Sequence, residues 1–325
     1  MKRIFLTGAS GFLGRQILKE LSDTDAEIIC MIHDRKIKEE LPPNVRFVIG
    51  SLSDSEALFD LTTNIDIIIH AAAVISFKKK RKHDMFDVNA IGTKNLVNAA
   101  LENKVSKFIH ISSIAAIGAS VGKITFNEEM SYNLKPLRVN YSTTKYLAEQ
   151  EVQRGQTEGL NTIILNPVNI IGPNDFKKAN LSYVKLAQFK IKPDLTGGIG
   201  IVDVRDVAAA VKKCLTTEAH GQRYILSSKN LTYKEFLDLL GQSKAVYIGL
   251  NRWFLKLLAY AMEMFETLTT VKMPFSVEKA RLANFYFWGD NSKSIKELGM
   301  TYISAEQSVA DMINWYRSQQ LLPKK

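Results

Sequence analysis

Cysteine is nearly absent: Cys30 and Cys214 are the only two in 325 residues. Two thiols build neither a disulfide framework nor a zinc site of their own, and they suit a reducing cytoplasm. Proline is scarce, with eight residues, and there is no low-complexity tract, which excludes a disordered or collagen-like chain. No uninterrupted apolar run reaches the ~18 residues that cross a bilayer. Only Ile4-Phe5-Leu6 follows the basic pair Lys2-Arg3, so no signal peptide is predicted. His70, His83 and His110 lack the spacing of metal ligands; no metal is expected, and His70 and His110 read as packed polar residues near strand ends. The chain has an ordinary globular balance, 46% hydrophobic and 23% charged, and enough length to bury a full core. Its formal charge is +10, much of it in Lys78-Lys79-Lys80-Arg81-Lys82. On charge alone, nucleic acid, an anionic membrane surface and a phosphorylated ligand all stay open.

The first 170 residues alternate β-rich runs with helical patterns. The predicted strands are Arg3–Leu6, Glu27–Ile32, Val45–Ile49, Ile65–His70, Phe108–Ile111 and Thr162–Leu165. Between them, Leu13, Ile17, Leu18 and Leu21 form one helix face, and Val88, Ile91, Val97 and Leu101 another. Strand and helix in repeated alternation mean an α/β fold with a doubly wound parallel sheet. After Pro167 the pattern loosens. Gly172-Pro173-Asn174-Asp175 reads as a turn and Pro193 to Gly200 as a Gly-rich loop. Helices are expected at about Val204–Leu215, Thr232–Leu240, Trp253–Leu268 and Ala305–Ser318, with a strand at Tyr224–Leu226. The division expected is residues 1–170 for nucleotide binding and 171–325 for a smaller substrate lobe, with a return to the first sheet around 200–228.

The first strand runs into Thr7-Gly8-Ala9-Ser10-Gly11-Phe12-Leu13-Gly14, and a helix follows. Glycine lets the backbone approach a pyrophosphate, and the helix N-terminus offers N–H groups and a positive dipole end to the anion. A three-glycine match alone is weak; its place between first strand and first helix marks a Rossmann-type dinucleotide site. The end of the second strand bears on which dinucleotide. An acid there binds the ribose 2′-OH of NAD. Here that position is Ile32, and His33 and Arg35 can meet a 2′-phosphate, so NADP(H) is favoured; Asp34 keeps NAD(H) open.

Tyr141-Ser142-Thr143-Thr144-Lys145 opens a helical stretch, so the phenol and the ammonium lie on one face. An ammonium nearby is expected to lower the phenol pKa, making Tyr141 a usable proton relay. About thirty residues upstream a strand ends in Ser112-Ser113, whose hydroxyls point into the crevice at the carboxyl ends of the strands. With the glycine loop, His70-Ala71-Ala72-Ala73, Asn89-x-x-Gly92-Thr93-x-Asn95-Leu96, Ser113 and Tyr141-x-x-x-Lys145, the chain resembles an extended short-chain dehydrogenase/reductase. Val202-Asp203-Val204-Arg205-Asp206-Val207-Ala208 and Gly221-Gln222-Arg223-Tyr224-Ile225-Leu226 bring it nearest the dihydroflavonol 4-reductase, cinnamoyl-CoA reductase and 3β-hydroxysteroid dehydrogenase branch. The likeness is dense to about residue 240 and thin beyond.

The resemblance implies Ser113, Tyr141 and Lys145 as catalytic residues, with Lys145 also on the nicotinamide ribose. It implies cofactor contacts from Thr7, Gly8, Ser10, Gly11, Phe12, Leu13, Gly14, His33, Arg35, Ser51, Leu52, Ala71, Ala72, Ala73, Ile111, Pro167 and Val168. Asn89 matches a helix asparagine that is more structural than catalytic. The chain departs from the family at Ser51, where relatives usually carry an aspartate for the adenine, and at Asn166-Pro167, where many carry Arg-Pro.

Together these features indicate an NADP(H)-dependent enzyme that interconverts a carbonyl and a secondary alcohol. A nucleotide-sugar epimerase or dehydratase and a redox-silent dinucleotide sensor are the alternatives. Val74, Ile114, Ile117, Asn166, Phe176 and Tyr183 are the candidate pocket residues, mostly apolar, which leans to a hydrophobic substrate. The Lys78–Lys82 run is read as a solvated loop and helix start. No nucleic-acid module accompanies it. Residues 253–265 are apolar on most faces, so burial as a pocket wall or homodimer interface is expected, with peripheral membrane contact through 252–269 the less favoured reading.

Overall fold

Uninterrupted Ile, Val and Phe runs need cover on both faces, and the fold supplies it with helices on either side of one sheet. The computed structural model describes residues 1–33, 43–241, 245–249, 252–269 and 276–323. In chain order the first half contains β1 (Arg3–Thr7), α1 (Phe12–Leu21), β2 (Glu27–Ile32), β3 (Val45–Ile49), α2 (Ser55–Thr62), β4 (Ile67–His70), α3 (Lys82–Met85), α4 (Gly92–Glu102), β5 (Lys107–Ile111), β6 (Thr125–Phe126), α5 (Asn140–Thr157) and β7 (Thr162–Pro167). The second half contains β8 (Asn169–Ile171), α6 (Leu181–Ala187), β9 (Ile191–Asp194), β10 (Gly198–Asp203), α7 (Val204–Cys214), β11 (Gln222–Leu226), β12 (Lys229–Thr232), α8 (Tyr233–Leu240), β13 (Val246–Gly249), α9 (Arg252–Thr269), α10 (Val277–Leu282), β14 (Tyr286–Gly289), α11 (Ser292–Leu298) and α12 (Ala305–Ser318).

The main sheet has seven parallel strands in the order β11-β7-β5-β4-β1-β2-β3. All six predicted strands lie in it, β4 starting two residues later than expected. Strand order reverses between β1 and β4, which places a crevice at their carboxyl ends. One face, including Leu6, Ile28, Ile109 and Leu165, is covered by α1 and α7 through Ile17, Val207 and Val211. The other, including Phe5, Ile68 and Phe108, is covered by α2, α4 and α5 through Leu58, Leu96 and Val152. Strand β11, from beyond residue 170, pairs with β7 at the edge of this sheet. A third apolar cluster joins α6, α8 and α12 through Val184, Phe236 and Met312.

Three expectations change. The segment Pro193 to Gly200, read as a loop, contributes to β9 and β10, and β10 sits inside a second sheet, β12-β10-β14-β6. Its glycines serve close packing: a Cβ on Gly198 would lie 2.6 Å from the Leu231 carbonyl oxygen, and one on Gly200 2.8 Å from Val168. Ile91 is exposed, not on the packed face. The chain runs through a π-helical turn at Phe86–Ile91, whose wider turn shifts the register and buries Asn89 and Ala90 instead. Within one chain helix α9 is not buried all round, as a pocket wall would be: Trp253, Leu257, Met264 and Leu268 lie on its solvent side, where a homodimer interface stays open.

Candidate active site

The glycine turn is built for close approach. Gly8 has φ +79°, and a Cβ on it would lie 2.6 Å from the Ala72 nitrogen. A Cβ on Gly14 would lie 2.0 Å from the Gly8 carbonyl oxygen. Gly11 differs: a Cβ there would have only the Gly8 oxygen, at 3.1 Å, within 4 Å, so the space before it is open. Helix α1 starts at Gly11 with no side-chain cap and no acid in its first turn, which leaves its first N–H groups for an anion. These features fit a dinucleotide pyrophosphate.

Behind the turn, a chain of hydrogen bonds fixes the next loop. The Ala72 N–H donates to Thr7 Oγ1 at 3.2 Å, and Thr7 meets His70 Nδ1 at 2.8 Å. His70 Nε2 meets Thr93 Oγ1 at 2.9 Å, and Thr93 donates to the Asn89 carbonyl at 2.6 Å. With Thr7 accepting from Ala72 and Thr93 donating onward, His70 is assigned as the neutral Nε2–H tautomer. Burial, with the Lys145 charge second, brings its pKa down to about 3. Asn89, turned inward by the π-helical turn, accepts from the Val74 N–H at 2.8 Å and donates to the Val74 carbonyl at 2.9 Å and to Thr144 at 3.1 Å. Thus Ala71 to Val74 is pinned beside the glycine turn. The sequence motif contains Thr93, but nothing in the string assigns it this part in the chain.

Ser113, Tyr141 and Lys145 converge at the carboxyl end of β5. Ser113 caps a short turn, its Oγ accepting from the Ala115 N–H at 3.2 Å, and it lies close enough to the Tyr141 phenol to act on its proton. Lys145 is buried and its Nζ donates to the Ile111 carbonyl at 2.8 Å. Burial brings the Lys145 pKa down to about 8, with the Glu149 carboxylate opposing. The expected lowering of the tyrosine pKa is not found. Burial holds Tyr141 above its ordinary value, and the Ser113 hydroxyl only partly offsets that. The group is therefore kept in its proton-donating form.

The structure does not bring the six candidate pocket residues together. Val74 flanks the pinned loop. Ile114 and Ile117 are core residues packed with the main cluster. Asn166 is fully buried, its Nδ2 donating to the Ser113 carbonyl at 3.0 Å and to Glu149. Phe176 is half-exposed, edge-on to Trp315 and under the Arg15 guanidinium. Tyr183 packs on Phe236 in the cluster of α6, α8 and α12. The side chain of Val168 is likewise in the core, beside Gly200 and Gly289, and Pro167 is buried next to it. Leu52 is buried, its carbonyl accepting from Asn95, and Ser51 hydrogen-bonds Ser53. His33 is exposed at the end of β2; Asp34 and Arg35 lie outside the described residues.

Several site neighbours were not anticipated. Phe77 meets Tyr141 edge-on at 6.0 Å between ring centres, and the Lys279 ammonium lies 5.9 Å over Phe77. Glu278 accepts from the Asn140 N–H at 3.3 Å and from the Asn140 amide, satisfying a free donor at the start of α5. Lys78 pairs with Glu266 of α9 at 2.7 Å. Lys80 approaches the same Glu266 at 3.7 Å, so the start of the run is tied to α9, while Arg81 pairs with Asp84 and Lys82 stays exposed. Buried Glu149 and Asn166, with half-buried Arg223, form a network behind Ser113. No local motif marks these contacts, which join residues up to 188 positions apart.

A Rossmann sheet with an uncapped glycine turn and a Ser–Tyr–Lys constellation at the strand ends defines a dinucleotide-dependent enzyme. The chain belongs to the NAD dependent epimerase/dehydratase family, whose profile matches residues 4–227. It is an NAD(P)-dependent enzyme of the epimerase, dehydratase and reductase type, within the extended short-chain dehydrogenases/reductases. A Synechocystis protein provisionally named dihydroflavonol 4-reductase is 26% identical over 97% of this chain and 94% of its own length. Sterol demethylase protein B of Methylococcus capsulatus is 25% identical over 98% and 99%. The crystal structure of gox2253 superposes with a TM-score of 0.83 at 26% identity, covering 99% of this chain and all of the other.

Proposed function

We propose that the protein is an NADP(H)-dependent oxidoreductase that interconverts a carbonyl and a secondary alcohol on a hydrophobic compound. When bound, the nicotinamide supplies or accepts the hydride at the carbonyl carbon. Gly8 to Gly14 and the start of α1 would hold the pyrophosphate, and Lys145 the nicotinamide ribose. In reduction, Tyr141 gives its phenolic proton to the substrate oxygen. Ser113 holds that oxygen and the phenol by hydrogen bonds, and the Lys145 ammonium favours the phenolate left behind. The observation that carries this reading is Ser113 beside the Tyr141 phenol, one helical turn from the buried Lys145, whose ammonium is held by the Ile111 carbonyl at 2.8 Å.

His33 and Arg35 in the sequence, with no acid at Ile32, support NADP(H) over NAD(H). The names of two relatives, a dihydroflavonol reductase and a sterol demethylase protein, support a lipophilic substrate. Asn166, an asparagine that also occurs before this proline among epimerases, has its amide nitrogen engaged by the Ser113 carbonyl and Glu149, which supports a structural part for it. Screening ketones, aldehydes and steroid alcohols with NADPH and NADH tests the proposal. Stoichiometric NADPH consumption is expected; conversion without net consumption would mean an epimerase or dehydratase, and cofactor binding without any turnover a sensor.

A further inference from the structure

Helix α9 is amphipathic in the wrong sense for a water-facing element. Over its 18 residues, Trp253, Leu257, Leu258, Tyr260, Ala261, Met264, Phe265, Thr267 and Leu268 face out. At 100° per residue they fill one half of the helix surface. Trp253 is 80% exposed, Leu257 69% and Leu268 77%. Among the described side chains of that half there is no charged group. The two carboxylates of the helix turn the other way: Glu266 pairs with Lys78, and Glu263 accepts from the Val277 N–H at 2.9 Å. Leu255 and Ala259 fill the inner side. The Thr267 hydroxyl is spent on its own helix, donating to the Glu263 carbonyl at 2.8 Å. Apart from the Trp253 and Tyr260 rings, the described side chains of the outer face are apolar or turned to their own helix.

A second apolar surface precedes it in the chain. Strands β9 and β13 form a separate two-stranded ribbon with Val246 opposite Ile191. Phe189, Ile191, Val246 and Ile248 are all exposed, and β13 ends three residues before α9 begins. Basic groups flank both surfaces. Lys185 and Lys190 are exposed around Phe189, and Lys80, Arg81 and Lys82 are exposed beside the inner flank of α9, where Lys80 approaches Glu266 at 3.7 Å.

We infer that α9 and the β9–β13 ribbon seat the protein on an anionic lipid surface. No described helix is long and apolar enough to cross a membrane, so α9 would lie in the interface plane. An apolar face with Trp and Tyr, set among lysines on a chain of net charge +10, matches the chemistry of acyl chains below anionic headgroups. A second copy of this chain would cover the apolar half equally well, but it would carry the same lysines and bring no opposite charge to them. The seat adjoins the site: the loop carrying Phe77, which touches Tyr141, is tied to α9 by the Lys78–Glu266 pair. A lipophilic substrate would thus be taken from the lipid phase.

Co-sedimentation with vesicles, without substrate or cofactor, tests the surface independently of the proposed reaction. The full chain is expected to pellet with equimolar phosphatidylcholine and phosphatidylglycerol, less with phosphatidylcholine alone, and less at high salt. Leu257→Glu with Met264→Glu is expected to weaken vesicle binding about tenfold or more. Both positions are exposed, so Tm should be unchanged. Wild-type protein left in the supernatant with both vesicles would overturn the inference. So would a double variant that pellets like wild type, or a wild-type dimer that this variant dissociates without any vesicle binding.

Discussion

Lys145 carries its charge at a cost from burial, and Glu149, one helical turn on, is the carboxylate that opposes that cost. Glu149→Gln keeps the shape and can still accept from Asn166, but it removes the charge. Side chains four apart on a helix lie about 6 Å from each other. At an effective dielectric of about 20, a unit pair at that distance is worth about 3 kcal/mol, or about two pH units. Arg223, which faces Glu149 at 3.2 Å, is present in both proteins and leaves this difference unchanged, so we expect a shift of at least about one unit. The wild-type Lys145 pKa is about 8, and the charged form is the one that supports phenolate. Reductive kcat/KM should therefore fall as pH rises past about 8 in the wild type, and the fall should begin at least about one unit lower in Glu149→Gln. The assay is initial-rate NADPH oxidation across the neutral and alkaline range, with Tm measured alongside because Arg223 loses a partner. A variant that folds normally and keeps the wild-type alkaline limb would refute the electrostatic role assigned to Lys145.

Tyr141→Phe should keep cofactor affinity and lose about 10²–10⁴-fold in turnover, read by fluorescence titration and steady-state rates; near-normal kcat would remove Tyr141 from the reaction. Gly11→Ala should fold with unchanged Tm yet bind cofactor at least about tenfold more weakly, whereas Gly14→Ala should lower Tm, since its Cβ would collide with the Gly8 backbone. Arg35→Ala should weaken NADPH by about ten- to a hundredfold and leave NADH nearly untouched, by titration with both; tighter NADH binding in the wild type would give the ribose to Asp34 instead. His70, buried neutral with a pKa of about 3 against 6.5 when free, costs stability only where the unfolded chain binds the extra proton. Unfolding free energy should thus fall with pH between about 6.5 and 3, by up to about 1.4 kcal/mol per unit from this residue, and His70→Gln should flatten that slope in denaturant titrations.

The parts legible in the sequence are those set by local pattern. Ile67-Ile68-Ile69 can only be a strand covered on both faces, and Gly8, Gly11 and Gly14 between a strand and a helix can hardly be anything but a dinucleotide turn. Tyr141 and Lys145 share a face by helical spacing alone. What escaped the string depends on partners far away in it. Gly198 and Gly200 look like loop residues until Leu231 and Val168 are seen to crowd them. Ile91 obeys the helical period, but the π-helical turn breaks the register one residue earlier, for the sake of Asn89. The resemblance puts Asn166-Pro167 where many relatives carry Arg-Pro, at the pocket; the amide nitrogen donates to the Ser113 carbonyl and to Glu149, which Arg223 also meets.

The α9 segment shows the same limit most plainly. An apolar run such as 253–265 is equally consistent with burial and with an exposed greasy face, because composition does not say which half of a helix the fold covers. The carboxylates decide it. Had α9 been a core helix, Glu263 and Glu266 would have needed the solvent side. Instead Val277 and Lys78 receive them on the protein side, which leaves the apolar half outward. The contacts that orient α9 thereby join it to α10 and to the loop carrying Phe77, and α10 in turn supplies Glu278 to the first turn of α5. One element therefore links the outward apolar face to the helix that bears Tyr141 and Lys145. A substitution that weakens the Lys78 pair, such as Glu266→Gln, should loosen the connection to the loop carrying Phe77, raising KM for a lipophilic substrate more than it lowers kcat. An equal fall in kcat with unchanged KM would place Glu266 in the chemistry of the site and not in its access.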